Sequence, residues 1–127
     1  MKTIKKVLII EDDVPLSNAL RDNLEHESFV TFQAEDGEKG LDVALAEHPD
    51  LILLDLILPK KDGMDLLHQL RLDPWGKSAK VIILSNVSDT KKVAEALLQD
   101  TFEYLVKSDV DIGAVVAMVK KNLGLAR

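Results

Sequence analysis

An aspartate stands inside a run of apolar residues in the segment LILLDLILP, residues 51–59. Asp55 follows four aliphatic residues, and three more come directly after it. A short apolar run that ends in proline is typical of a buried strand and its exit. Because an ionised carboxylate is costly to bury without a compensating partner, Asp55 is a candidate for chemistry beside a cation.

Other polar groups also stand at the ends of short apolar segments that favour strands. These are Glu11, Asp12 and Asp13 after KVLII (6–10), Ser85 after KVIIL (80–84) and Lys107 after FEYLV (102–106). The acids offer the hard oxygen ligands that Mg²⁺ prefers. A carboxylate can act as a nucleophile and form an aspartyl phosphate, and a phosphoryl group in transfer needs cations around its oxygens. The pattern therefore indicates that Asp55 accepts a phosphoryl group, with Mg²⁺ and Lys107 as the cations and Ser85 as a hydroxyl donor.

The segments that must position these groups alternate between strand and helix patterns. The predicted strands are 6–10, 29–33, 51–54, 80–84 and 102–106. Helical periodicity marks the stretches around 16–24, 36–48, 62–71, 89–99 and 109–124. Such alternation predicts an α/β fold in which helices cover both faces of a parallel sheet. Five strands and five helices predict the doubly wound, flavodoxin-like order 2-1-3-4-5, in which ligands bind between the ends of the first and third strands.

Length and composition indicate one ordinary domain over residues 1–127. There is no cysteine, which excludes disulfides and thiolate metal sites. The net charge of 16 − 22 = −6 argues against a domain that binds nucleic acid directly. No apolar run approaches the roughly 20 residues of a membrane span, so a cytoplasmic protein without a membrane partner is expected.

The chain resembles, over its whole length, the receiver domains of two-component response regulators, and in particular single-domain CheY-like regulators. The matching segments are VLIIEDDVPL (7–16), DLILPKKDGMDLL (55–67), VIILSN (81–86) and YLVKSD (104–109). The resemblance implies phosphorelay signalling, in which a histidine kinase or a histidine phosphotransfer protein phosphorylates Asp55 with Mg²⁺. Phosphorylation then switches a surface that binds an output partner, whose identity stays open, or a second copy in a phosphorylation-dependent dimer. The implied protein is a signalling receiver that assists its own phosphorylation and dephosphorylation, not an enzyme.

The resemblance also assigns roles to individual residues. The implied metal ligands are Glu11, Asp12, Asp55 and the Ile57 carbonyl, with Asp12 binding directly and Glu11 through water. Asp55, Lys107 and Ser85 would carry the transfer, and Ser85 and Tyr104 would form the switch. Asp13 receives no direct role, and Lys60 and Lys61, just past the acceptor, are expected to be solvated.

Two further predictions come from the residues around these sites. A donor histidine must reach Asp55, so Leu16 and Ala19, on the predicted first helix beside the acids, are candidates for docking. Ser108 stands where the family usually has proline. We expect the Lys107–Ser108 peptide to be trans, since a cis bond without proline costs roughly 2.5–4 kcal/mol. The segment SDVD predicts Ser108 as a helix N-cap, with Asp111 three residues on.

Two alternatives remain. A small phosphohydrolase could use Asp55 as its nucleophile, but such chemistry commonly needs a second acid close by, and Leu56, Ile57 and Leu58 supply none. A receiver-like adaptor could bind its partners without phosphorylation. Incubation with a small phosphodonor separates these alternatives from a receiver.

Overall fold

The computed structural model describes residues 4–85, 103–107 and 111–125. Its strands are β1 (Lys6–Ile10), β2 (Val30–Ala34), β3 (Leu51–Leu54), β4 (Val81–Ser85) and β5 (Glu103–Val106). Its helices are α1 (Val14–His26), α2 (Gly37–Glu47), α3 (Gly63–Leu72) and α4 (Ile112–Asn122), with a 3₁₀ turn at Gly76–Ser78. The helix predicted over 89–99 lies outside the described residues. β2 and β4 each begin one residue later than predicted.

The five strands form one parallel sheet in the order β2-β1-β3-β4-β5, which confirms the predicted doubly wound topology. Ile10 at the end of β1 pairs with Ala34 and with Leu54, and Ser85 at the end of β4 pairs with Val106. Because parallel strands run in the same direction, their carboxyl ends meet at one edge of the sheet. That edge therefore carries the residues that follow β1, β3 and β5.

The sheet buries apolar side chains on both faces. Residues of even number in β1 and β3 pack with α2 and α3, and their odd-numbered neighbours pack with α1 and α4. Leu8 and Ile52 belong to the first core, whereas Ile9 and Leu53 belong to the second. This double burial explains why the strands are apolar throughout instead of alternating with polar residues.

An aspartate caps the N-terminus of each described α-helix. Asp13, Asp36, Asp62 and Asp111 each accept a hydrogen bond from a main-chain N–H two or three residues further on. Such caps contribute about 1 kcal/mol each. The prediction that Ser108 caps the last helix was wrong, because α4 begins at Ile112 and Asp111 holds the cap position. Ser108 and its peptide bond to Lys107 lie outside the described residues.

Within the described ranges, every helix is too short or too polar to cross a lipid bilayer.

Candidate functional site

Three carboxylates meet at the carboxyl edge of the sheet. Oxygen atoms of Glu11, Asp12 and Asp55 lie within 4.8 Å of one another. The main chain sets this arrangement, since the Asp55 N–H donates to the Ile10 carbonyl across the β1–β3 pair at 3.0 Å. Glu11 is 3% exposed and Asp55 is 5% exposed, whereas Asp12 faces solvent. The predicted acid cluster is therefore assembled, with two members buried and one open to solvent.

Lys107 supplies the cation that these buried acids need. Its Nζ atom lies 2.9 Å and 3.0 Å from the two Glu11 oxygens and 3.2 Å from Asp55 Oδ2. Hydrogen-bond geometry is met at Glu11 Oε2 and at Asp55 Oδ2, whereas the approach to Glu11 Oε1 is a charge contact alone. The Lys107 side chain is 14% exposed, so little solvent screens the pairs. Lys107 thus offsets much of the cost of burying the two carboxylates.

The remaining hydrogen bonds show what the acids can still bind. Glu11 Oε2 accepts from the Asp13 N–H at 3.0 Å, and Asp55 Oδ1 accepts from the Ile57 N–H at 3.0 Å. Glu11 Oε1 is buried and makes no hydrogen bond with any residue that the structure describes. A buried carboxylate oxygen with an open lone pair, next to the exposed Asp12 carboxylate, suits a hard divalent cation and its water ligands. The donor set can therefore hold a divalent metal ion.

The electrostatic balance of the site appears in two pKa shifts. Burial raises the pKa of Glu11 to about 7, against the lowering effect of the Asp13 N–H and the Lys107 ammonium. Burial acts to lower the pKa of Lys107, but its hydrogen bond to Glu11 and the charge of Asp55 outweigh this and raise it overall. Lys107 therefore stays charged at neutral pH, while Glu11 exchanges its proton near neutrality.

Residues 55–62, here called the acceptor loop, connect β3 to α3. The Gly63 N–H donates to the Leu56 carbonyl at 2.9 Å and closes the loop. A Cβ atom at Gly63 would lie 2.5 Å from the Asp55 carbonyl oxygen, so this approach requires glycine. Asp62 then caps α3 through the Met64 N–H at 2.9 Å. Both ends of the loop are thus fixed by main-chain contacts.

A strained turn lies in the middle of the acceptor loop. Lys60 has φ 66°, and the Lys61 N–H donates to the Pro59 carbonyl at 2.8 Å. This combination is a γ-turn with a positive central φ, the rarer and more strained form. A left-handed conformation costs a residue with a side chain about 1–3 kcal/mol and persists only where its surroundings hold it.

The start of α2 holds this turn in place. The Gly37 N–H donates to the Pro59 carbonyl at 3.4 Å, and a Cβ atom at Gly37 would overlap the Lys61 carbonyl oxygen. The Lys60 Nζ atom lies 3.8 Å from Asp36 Oδ2. The Lys60 side chain is 67% exposed, so the expectation of a solvated lysine describes its head group but misses its backbone. Lysine rarely takes a positive φ, and nothing in its sequence neighbourhood signals one.

The residues predicted to form a switch lie on neighbouring strands. Tyr104 pairs with Ile83, two residues before Ser85 on β4, and packs against the core beside α2 and α3. Burial raises the pKa of the Tyr104 phenol, and the Asp55 charge raises it further. The charge of Asp55 therefore acts on the Tyr104 phenol. The Ser85 side chain lies outside the part of the chain that the structure describes.

The residues predicted for docking lie at the start of α1, next to the acids. Leu16 and Ala19 are both partly exposed, and Leu16 also packs against the core beside α4. Val14, at the first position of α1, is 51% exposed.

The chain is similar in sequence to proteins of known family. The family model of the response regulator receiver domain matches residues 7–120. The chain is 35% identical over 118 residues to the response regulator ArlR of Staphylococcus saprophyticus, covering 93% of this chain and 52% of ArlR. It therefore spans about half the length of the curated relatives it matches.

Solved structures of response regulators share the fold. The Mn²⁺-bound form of the response regulator Rcp1 has a TM-score of 0.81 and 26% identity, covering 92% of each chain. The phosphorylated cyanobacterial phytochrome response regulator RcpA has a TM-score of 0.78 and 27% identity, covering 94% of this chain and 91% of its own.

Proposed function

Because the chain belongs to the response regulator receiver domain family, we propose that it accepts a phosphoryl group on Asp55 from a histidine kinase or a histidine phosphotransfer protein. The observation that carries the proposal is the buried Asp55 carboxylate, 3.2 Å from Lys107 Nζ and within 4.8 Å of two further acids. A carboxylate held beside a fixed cation at an edge that fits a divalent metal is arranged for phosphoryl transfer.

In the proposed reaction, an Asp55 carboxylate oxygen forms a bond to phosphorus while the P–N bond to the donor histidine breaks. The bonding electrons leave with the imidazole. Lys107 stays charged because of its raised pKa and faces the oxygens of the transferred group. Ser85, at the end of β4, would donate its hydroxyl to another of these oxygens. The protein thus contributes positioning and fixed charge instead of a proton-transfer group.

Mg²⁺ is the proposed metal, held by Glu11, Asp12, Asp55 and the Ile57 carbonyl. When bound, it would neutralise negative charge on the carboxylates and on the phosphoryl oxygens. The open lone pair of Glu11 Oε1 and the exposed Asp12 support this assignment. The bound Mn²⁺ in Rcp1 shows that a protein of the same fold takes a divalent cation.

The wider role follows from the same proposal. Residues 1–127 would act as one cytoplasmic receiver domain that assists its own phosphorylation and dephosphorylation without being an enzyme. Phosphorylation would draw Ser85 towards the acceptor and let Tyr104 turn inwards. This change would alter a surface that binds an output partner or a second phosphorylated copy.

The decisive experiment is phosphorylation by a small phosphodonor. We expect the intact protein to gain the mass of one phosphoryl group in acetyl phosphate with Mg²⁺, and to gain nothing after Asp55→Asn. Asp42→Asn, which changes an exposed acid on α2, should leave the gain intact and is the matched control. Absence of a gain in the wild type would contradict the proposal and favour an adaptor. Turnover of the donor without a stable product would favour a hydrolase.

Docking of the donor protein gives a second prediction. Leu16→Asp should slow transfer from a cognate kinase by about tenfold or more, because a buried charge at an interface is costly. Labelling by acetyl phosphate should stay within about twofold of the wild type, since Leu16 supplies neither the acceptor nor a proposed metal ligand. Time courses with both donors measure the two rates.

Leu45→Asp on α2 is the control for the docking prediction, because Leu45 is also partly exposed but lies on another helix. Equal loss of both reactions in Leu16→Asp would show a folding defect and count against docking at this surface.

A further inference from the structure

The acceptor loop is held from outside the site. Asp55 and Ile57 belong to the proposed phosphoryl and metal site, while the start of α2 contacts the loop at Pro59, Lys60 and Lys61. Only Leu58 separates Ile57 from Pro59, so the path of the turn restricts where the Ile57 carbonyl can point. A displacement of the turn should therefore also displace the Ile57 carbonyl, because one residue lies between them.

The turn is unfavourable without contacts from outside the loop. A left-handed lysine is unfavourable, so an isolated loop would relax away from the observed path. The ion pair between Lys60 and Asp36 is exposed and weak. The stronger hold is the main-chain contact at Gly37, where the lack of a side chain lets α2 approach the Lys61 carbonyl. Asp36 adds to it by capping α2 through the Lys39 N–H at 2.8 Å, which fixes the end of the helix that meets the loop.

We propose that Lys60 and Gly37 are positioning residues for phosphoryl transfer: the start of α2 holds the acceptor loop in its strained turn and so fixes Asp55 and the Ile57 carbonyl. The inference rests on the proposed function and deepens it. Neither residue touches the reacting atoms. Their role is to keep the loop in the one conformation that matches the cation and the phosphoryl group, since small misplacements of reacting groups are costly in rate.

A positioning role and a purely structural role differ in which measurements change at Lys60. Glycine accepts φ 66° without strain, so Lys60→Gly should raise the urea midpoint relative to Lys60→Ala. Alanine keeps the strain, so its loop leaves the observed path more readily than the glycine loop. A purely structural role changes only the urea midpoint, whereas a positioning role also makes the glycine variant the better acceptor.

The test compares Lys60→Gly with Lys60→Ala, because both remove the charge but only glycine removes the strain. We expect Lys60→Gly to bind Mg²⁺ about three- to tenfold more tightly than Lys60→Ala by calorimetry, and to label about three- to tenfold faster with acetyl phosphate. Equal Mg²⁺ affinity and equal labelling in the two variants would overturn the proposal, as would weaker binding or slower labelling in Lys60→Gly.

Gly37→Ala supplies the second arm. Its new methyl group must push the Lys61 carbonyl away, so Mg²⁺ affinity and labelling should both fall by about tenfold or more while the urea transition stays cooperative. Gly113→Ala is the matched control, since among the described residues a Cβ atom there would come no closer than 3.4 Å, at the Asp111 carboxylate. Normal labelling in Gly37→Ala would contradict the proposal. If the wild type itself is not labelled, the proposed function fails instead, and the Mg²⁺ affinities still decide whether α2 positions the loop.

Discussion

Replacing Lys107 with methionine is expected to slow phosphoryl transfer to Asp55 by about a hundredfold or more. Removing one preorganised charge or donor from a reacting centre costs about 10²–10³ in rate. Methionine keeps the length and packing of the lysine stem but leaves Glu11 and Asp55 without the ammonium that now lies within 3.2 Å of both.

The effect of this change on stability should be smaller than its effect on rate. Breaking a buried ion pair typically costs about 3–5 kcal/mol because a charge is left uncompensated. Glu11 can avoid its own share of that cost by keeping a proton, since burial already raises its pKa to about 7, whereas Asp55 still loses its partner. Lys107→Met should therefore lose less stability at pH 6 than at pH 8.

Urea unfolding at both pH values and labelling by acetyl phosphate measure the two effects. Lys107→Arg keeps the charge and is the control for the pH dependence of stability. Labelling of Lys107→Met at a rate near that of the wild type would remove Lys107 from the transfer step.

The affinity for Mg²⁺ should fall steeply as the pH drops below 7. Metal ligands must be deprotonated to bind, so a proton on Glu11 competes with the cation. Burial raises the pKa of Glu11 to about 7, and the dissociation constant should therefore rise by about tenfold per pH unit well below that value. Calorimetric titrations between pH 5 and pH 8 measure this slope.

The metal-free protein should show the opposite trend in stability. Folded Glu11 keeps its proton up to about pH 7, whereas in the unfolded chain it loses it near pH 4.5. The folded state thus binds more protons across this window, and the contribution of Glu11 to stability is lost as the pH rises from about 4.5 to about 7. Glu11→Gln should bind Mg²⁺ weakly and with little pH dependence above pH 6. An unchanged slope in that variant would assign the titration to another group.

Local sequence patterns predicted the sheet and the position of the site, but they did not predict every helix boundary. The apolar runs that end in Glu11, Asp55 and Lys107 predicted both the sheet and its reactive edge, because parallel strands bring their ends together. The cap of α4 was misassigned because SDVD offers both Ser108 and Asp111 as caps, and local pattern alone does not decide between them.

Two features of the site had no local signal at all. The pKa of Glu11 depends on burial and on Lys107, which is 96 residues away along the chain. The positive φ of Lys60 depends on how closely α2 approaches the acceptor loop at Gly37. Both are set by tertiary packing, which sequence periodicity does not describe.

The position of Lys107 directly after the last strand also sets an order of events during synthesis. A nascent chain emerges from the ribosome N-terminus first, so β1 and β3 are exposed to solvent long before β5 exists. Until β5 docks beside β4, Glu11 and Asp55 lack their ammonium partner, and a truncated chain carries the acceptor without the charge that serves it. Under the proposed function, competence for phosphorylation should therefore appear only when the sheet is complete.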